Sequence, residues 1–190
     1  MKRIGLAIVF AISLVALFAC ATSGGGSNSP QDAKAYFARG DIYVNRGNYD
    51  AAIAQYTQAI SIDPDYADAY TNRGVAHFRK GDFDLAIADW TQTIRLDPND
   101  ANVYSNRGAA HLNSGNFDLA IEDATEAIKL DPNWADAYHI RAAAHFSNED
   151  WELAIEDCEA ALSINPNHTG AKDLLNRVSL FKRLESMFGQ

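Results

Sequence analysis

Four prolines, Pro64, Pro98, Pro132 and Pro166, stand 34 residues apart, and other landmarks keep the same step. Tyr36, Tyr70, Tyr104 and Tyr138 share it, as do Ala52, Ala86, Ala120 and Ala154. So do Gly40, Gly74 and Gly108, and the turn glycines Gly47, Gly81 and Gly115. A chain with a fixed period of this size does not close around one central core. Each unit buries its apolar face against its neighbours, and the units stack into a solenoid. Anchored on the prolines, the units run 33–66, 67–100, 101–134 and 135–168, with no insertion between them.

Each unit reads as two helices. The first carries the tyrosine, an arginine and the glycine, as in Tyr70, Arg73 and Gly74. The second opens after a turn at Asn48, Asp82, Asn116 or Asp150, whose short side-chain acceptors suit an N-cap. Acids follow two residues later, at Asp50, Asp84, Asp118 and Glu152, where the helix dipole is positive. The second helix stops before the proline, which restricts the preceding residue and cannot continue the hydrogen-bond ladder. Ser29-Pro30 reads as N-cap and first residue of the opening helix.

The pattern has an aromatic at position four, a small residue at eight, alanine at twenty, an aromatic at twenty-four, alanine at twenty-seven and proline at thirty-two. It resembles the tetratricopeptide repeat over residues 33–168. The resemblance implies an all-α fold, a right-handed α-solenoid of four helix-turn-helix units. Departures are local: Ala142 and Glu149 replace two glycines of the last unit, and Thr93 and Ala124 replace the usual alanine and aromatic in the second and third. Residues 169–190 lack the matching turn and proline, while Leu174, Leu175, Val178, Phe181 and Leu184 fall at helical spacing and Met187 and Phe188 extend the stripe. We read this segment as a capping helix on the last unit. The length of its stripe leaves a second reading open, in which its end binds another copy or lipid.

The first twenty residues belong to a different kind of segment. Lys2 and Arg3 precede an apolar run from Ile4 to Ala19, directly followed by Cys20. A positive start, a short apolar core and small residues at its end describe a secretory signal over 1–19, and the run is shorter than the roughly 20 residues of a spanning helix. Leu17-Phe18-Ala19-Cys20 resembles the bacterial lipobox, which implies lipidation of Cys20 as the mature N-terminus. Phe18 departs from the small or β-branched residue usual there, and an ordinary cleaved signal or an uncleaved anchor is the alternative. Residues 20–29, rich in glycine and serine, have the composition of a flexible tether. About ten residues reach on the order of 30 Å, so the folded part would stand off a membrane without travelling far from it. Ala21 is not the aspartate that retains many lipoproteins in the inner membrane. The resemblance therefore favours the outer membrane, with the repeats facing the periplasm of a bacterial cell envelope.

Charge and chemistry narrow the function. The formal charge of −9 becomes −11 once Lys2 and Arg3 leave with the signal, so nucleic acid is not an expected partner. Cys158, the other cysteine, falls within an apolar helix pattern and reads as a small buried hydrophobe without a disulfide. His77, His111 and His145 share position eleven, but neighbouring units lie roughly 10 Å apart, too far for one ion with bonds of about 2 Å. No metal or other cofactor is expected. Arg73, Arg107 and Arg141 can meet Asp89, Asp123 and Asp157 across the two helices of a unit, whereas Arg39 of the first unit faces Gln55. Such pairs are structural, and no nucleophile–base pair, phosphate loop or calcium loop is present, so the chain does not read as an enzyme.

The resemblance implies that the first helices line a concave groove holding an extended peptide or a partner helix. Carried onto this sequence, the groove positions are Phe37, Val75, Phe78, Leu112 and Phe146 for apolar contact. Thr71, Ser105, His139, Asn45, Asn113 and Arg79 supply polar contact, and Asn72 and Asn106 would grip a peptide backbone with their amides. Chaperone-binding relatives clamp a terminal carboxylate with cations and asparagines. Here Phe37, Asp41, Asn102 and Asn106 occupy those positions in one register, and Thr71, Val75, Asp136 and Ile140 in the next. The expected ligand is therefore a neutral or basic segment with apolar anchors, on another envelope protein. A self-associating structural lipoprotein is the second class of function.

Overall fold

The computed structural model describes residues 29–188. The leader 1–19, the lipobox cysteine Cys20 and the tether up to Asn28 lie outside the described residues. The described residues form helices only: α1 (Pro30–Asn45), α2 (Tyr49–Ile62), α3 (Ala67–Lys80), α4 (Phe83–Leu96), α5 (Ala101–Asn113), α6 (Phe117–Leu130), α7 (Ala135–Ser147), α8 (Trp151–Ile164) and α9 (Thr169–Phe188). No helix among them is long and apolar enough to cross a membrane.

Each helix packs on the next, so the pairs α1/α2, α3/α4, α5/α6 and α7/α8 stack in order. Every first helix also touches the first helix of the following pair, α1 with α3, α3 with α5, α5 with α7 and α7 with α9. Among the described residues the second helices make no such contact with each other. The stack is therefore tighter along its odd-numbered helices, and that edge is the inside of the curve.

Local chemistry sets the helix ends. Ser29 and Asp32 form a capping box, with Ser29 Oγ accepting from Asp32 N–H at 3.3 Å and Asp32 Oδ2 accepting from Ser29 N–H at 3.1 Å. Asn48 caps α2 through Ala51 N–H at 3.2 Å. Asp82, Asn116 and Asp150 occupy the same N-cap position but make no capping hydrogen bond, contrary to expectation. Asp82 and Asp150 turn back instead toward His77 and His145, both at 3.7 Å. Before the prolines, Asp63, Asp97, Asp131 and Asn165 are extended and accept from the amide two residues on at 3.2, 3.1, 2.9 and 3.0 Å, closing the turn into the next unit.

Small residues let the two helices of a unit approach. Ala52, Ala86, Ala120 and Ala154 are fully buried. Positions eight and twenty-four divide the space between them: Gly40 lies under the Tyr56 ring and Gly74 under Trp90, so a methyl group at either would strike the ring. Where the aromatic is lost, at Ala124, a methyl on Gly108 would strike no ring and would lie 3.3 Å from Asp123 Cβ, 3.4 Å from Ala120 O and 3.6 Å from Ala124 N. In the last unit Ala142 faces the buried thiol of Cys158, which burial pushes up to about 11. Thr93, standing for an alanine, is buried with its hydroxyl satisfied by Thr71 Oγ1 at 3.1 Å and Asp89 O at 3.3 Å.

The arginine–aspartate pairs form, and they reach further than the two helices of a unit. Arg107 Nε and Nη2 donate to Asp123 Oδ2 and Oδ1 at 2.9 and 2.6 Å, while Nη1 donates to Thr91 Oγ1 of the preceding unit at 3.1 Å. Arg73 does the same with Asp89 and Thr57, and Arg141 with Asp157 and Thr125. These hydrogen bonds hold the Arg107 and Arg141 guanidinium groups above their usual range despite burial. Each guanidinium thus ties three helices. Arg39 has no such acid and lies over the Tyr36 ring at 4.3 Å.

A second, exposed tie links the second-helix acid of one unit to the end of the next first helix. Asp50 meets Lys80 at 2.6 Å, Asp118 meets Asn148 at 3.0 Å and Glu152 meets Lys182 at 2.7 Å. Lys182 is on α9, which therefore occupies the first-helix place of a fifth unit. Leu174 and Val178 of α9 are buried against α7 and α8, while Lys172, Asn176 and Ser179 present a polar outer face, as a cap requires. Leu180, Phe181 and Met187 remain exposed.

Two outcomes test these assignments. Arg107→Met alone should destabilise the array by roughly 2–4 kcal/mol, because Asp123 is left buried without its cation. A cycle with Asp123→Asn should then return a coupling of at least about 1 kcal/mol in urea unfolding, and additivity would remove the latch. Glu149 holds a left-handed conformation, φ 64°, where the other units have glycine. Glu149→Gly should therefore stabilise by about 1 kcal/mol, raising Tm by roughly 2–4 °C.

Candidate functional site: the concave face

The structure sorts the expected groove residues into three groups. At position five, Phe37, Thr71, Ser105 and His139 do not face open groove. In three cases the residue that precedes the next first helix folds over this position: Tyr66 onto Phe37 with ring centroids 5.1 Å apart, Trp134 Nε1 onto Ser105 Oγ at 3.2 Å, and His168 onto His139 at 4.9 Å. Ser105 is buried. Thr71 Oγ1 lies within hydrogen-bond distance of Ala67 O and Thr93 Oγ1, so its hydroxyl serves its own pair of helices. Phe146 is likewise covered. It packs edge-on against Trp151 and Phe181, with the Arg177 guanidinium 4.9 Å over its ring.

The asparagines expected to grip a peptide are partly committed. Asn72 Nδ2 donates to Asp41 Oδ1 at 3.0 Å, across from α3 to α1. Asn106 Nδ2 donates to Asn102 Oδ1 at 3.3 Å and Asn113 Nδ2 to Ala109 O at 2.7 Å, both within α5. Phe78 is half-buried against Phe83 and Trp90, with centroids at 5.4 and 5.9 Å, and Leu112 is half-buried. Asn45, Arg79 and Asn113 are exposed.

Three of the expected residues come together. Asn45, Asn72 and Val75 line an open cavity of ≈ 360 Å³ between α1 and α3, with Asp41, Val44 and Tyr56 completing it. Its size is that of a small binding pocket. Tyr56 is fully buried, and its hydroxyl donates to Asp41 Oδ1 at 2.7 Å. Burial first, and then this carboxylate, push the phenol far above its usual range. Val44 and Tyr56 were not expected as groove residues, and Asp41 was placed there only as a clamp position lacking its cation. The signal for Asp41 was a break in the repeat, since position nine holds Val75, Ala109 and Ala143 in the later units.

Among the described residues no three His, Cys, Asp or Glu side chains are grouped to hold a metal ion. His111 is buried near Asp123, 3.8 Å away, between the two helices of its unit.

The family model described as "TPR repeat" matches residues 40–81, and that described as "Tetratricopeptide repeat" matches 67–100, 101–133 and 135–168. The chain belongs to the tetratricopeptide repeat family. Among solved structures, a crystal structure of MamA protein is 25% identical with a TM-score of 0.76, covering 84% of this chain and 87% of that one. The first TPR of Spaghetti (RPAP3) bound to the HSP90 peptide SRMEEVD is 29% identical with a TM-score of 0.60, covering 62% and 93%. YrrB, described as a TPR protein with an unusual peptide-binding site, is 25% identical with a TM-score of 0.69, covering 74% and 73%. No curated protein matches the sequence.

The covered end of this tetratricopeptide groove holds a pair of histidines, His139 and His168. His168 Nδ1 accepts from Ala171 N–H at 3.0 Å and caps α9, and its Nε2 meets Asp136 Oδ1 at 2.9 Å. Burial first, and then His168, push the His139 imidazole below its usual range, against the pull of Asp136. A histidine lowered on folding contributes stability that is complete above its unfolded value, about 6.5, and lost as pH falls through the folded one. The urea midpoint should fall between pH 7.5 and 5.5, and fall less in His139→Gln. Equal drops in both proteins would exclude His139 as a source.

Proposed function

We propose that this chain is a protein–protein interaction adaptor that holds a peptide segment of its partner in the concave groove. The observation that carries the reading is the cavity between α1 and α3, walled by Val44 and Val75 and rimmed by exposed Asn45. Tetratricopeptide repeats are interaction scaffolds, and two of the similar structures are described with a bound peptide or a peptide-binding site. The groove differs from one that takes an acidic tail such as the one ending SRMEEVD. At the positions of a carboxylate clamp it offers Phe37, Asp41, Asn102 and Asn106, with no cation among them. A neutral or basic segment with apolar anchors suits it better.

The adaptor reading extends to location. Lys2, Arg3, the apolar run to Ala19 and Cys20 support a lipid anchor at Cys20, a membrane association through that lipid and a place in the bacterial cell envelope, facing the periplasm. The partner is then another envelope protein. A second reading has its own observation: Leu180, Phe181 and Met187 stand exposed at the end of α9, where a second copy could bind.

Peptides selected from a display library on the full-length protein should bind at least about tenfold more weakly to Asn45→Trp and Val75→Arg. Circular dichroism and melting of both variants should match the parent. Undiminished binding would move the site off the groove. Cys20→Ser should shift the protein from the membrane to the soluble fraction, and retention would end the lipid-anchor reading. A mass that rises with concentration and falls on deleting residues 180–190 would favour self-association instead.

A further inference from the structure

Asp41 is unlike the other half-buried or buried aspartates that face a neighbouring helix. Asp89, Asp123 and Asp157 each receive an arginine through both oxygens. Asp41 receives two neutral donors, Tyr56 Oη and Asn72 Nδ2, and both land on Oδ1. Among the described residues nothing donates to Oδ2, and no cation pairs with the carboxylate. Arg79, one turn beyond Val75 on α3, is exposed and forms no ion pair with it.

The arrangement exceeds what the fold requires. Tyr56 needs an acceptor because it is buried, but a neutral amide would serve, and the later units place Val75, Ala109 and Ala143 at the same position. A carboxylate held through one oxygen by donors from α2 and α3 is pre-oriented, its second oxygen has no donor among the described residues, and the residue lines a cavity of ≈ 360 Å³ whose walls are otherwise apolar or neutral. The surroundings add to the negative potential. The Tyr66 phenol, packed on Phe37, is pushed up by burial and then by the carboxylates of Asp68, Asp41 and Asp63.

Resting on the groove-binding reading above, we infer that the bound peptide presents a positive charge to Oδ2 of Asp41. The charge is a lysine or arginine side chain, or a free amino terminus. The charge-assisted hydrogen bond completes the acceptor capacity of the carboxylate, while Val44 and Val75 contact the aliphatic stem. Asp41 thus sets which segment enters the first pocket and fixes the register of the rest along the groove.

The test uses random dodecapeptides displayed on phage, selected in parallel on the full-length protein and on Asp41→Asn. The asparagine retains an acceptor for Tyr56, and its melting curve checks folding. Selection on the parent should enrich lysine or arginine at one fixed spacing from the apolar anchors, or a free amino terminus. That enrichment should vanish on Asp41→Asn. For one selected peptide, lysine→norleucine should weaken binding roughly tenfold on the parent and less than about twofold on the variant. N-acetylation replaces that substitution if the terminus is the cation. Should Asp41→Asn fail to fold, norleucine substitution and acetylation on the parent alone decide. Peptides that bind both proteins equally, or that tolerate loss of every cation, overturn the inference and leave the groove reading standing. Peptides indifferent to Asn45→Trp and Val75→Arg overturn both.

Discussion

The guanidinium at position seven holds this array together. In the three interior contacts it forks onto an aspartate of its own unit and reaches with its remaining nitrogen to a threonine of the unit before. Apolar packing between helices sets crossing angles only within a scatter of roughly 15–20°. A planar fork with a fixed carboxylate is stricter. The spacing of the first helices, and hence the shape of the concave face, follows from three repetitions of one hydrogen-bonded geometry. The net stabilisation of such a pair is modest after desolvation, and its main effect is to select one arrangement among several that would bury similar apolar area.

The concave face is narrower in chemistry than the repeat pattern suggests. In three units position five is closed over by the residue that enters the next unit, and the last unit's Phe146 is closed over by α9. A defined pocket lies near the start, between α1 and α3 beside Tyr56, and the other end carries the covered His139–His168 contact.

Much of this was legible in the residues. The 34-residue step gave the unit boundaries, the helices and the arginine–aspartate partners, since both series are chemically regular and the two helices of a unit run antiparallel. The threonine leg of the latch was missed because a threonine on a helix carries no signal until its neighbour is known. The covering of Phe37, Ser105 and His139 was missed for a related reason: the residues that cover them, Tyr66, Trp134 and His168, are chemically irregular, so their shared role is spatial. Asp82, Asn116 and Asp150 looked like caps by type, yet Asp82 and Asp150 turn to nearby histidines, which side-chain type alone does not predict. Asp41 was visible as a clamp position without its cation and as an interruption of an apolar series.

The latch also changes at the two ends of the chain. The first unit has Gln55 where the later ones have the acid, and after the last aspartate the threonine becomes Glu159 while the next arginine becomes Leu175. The units at 67–100 and 101–134 carry the complete set on both sides, so each is an exchangeable cassette. A duplication there would splice in without leaving a charge unmatched, whereas one at either terminus would not. The lineage of this protein could therefore lengthen its groove from the middle outward, keeping the Asp41 pocket and the α9 cap as fixed bookends while the distance between them grew.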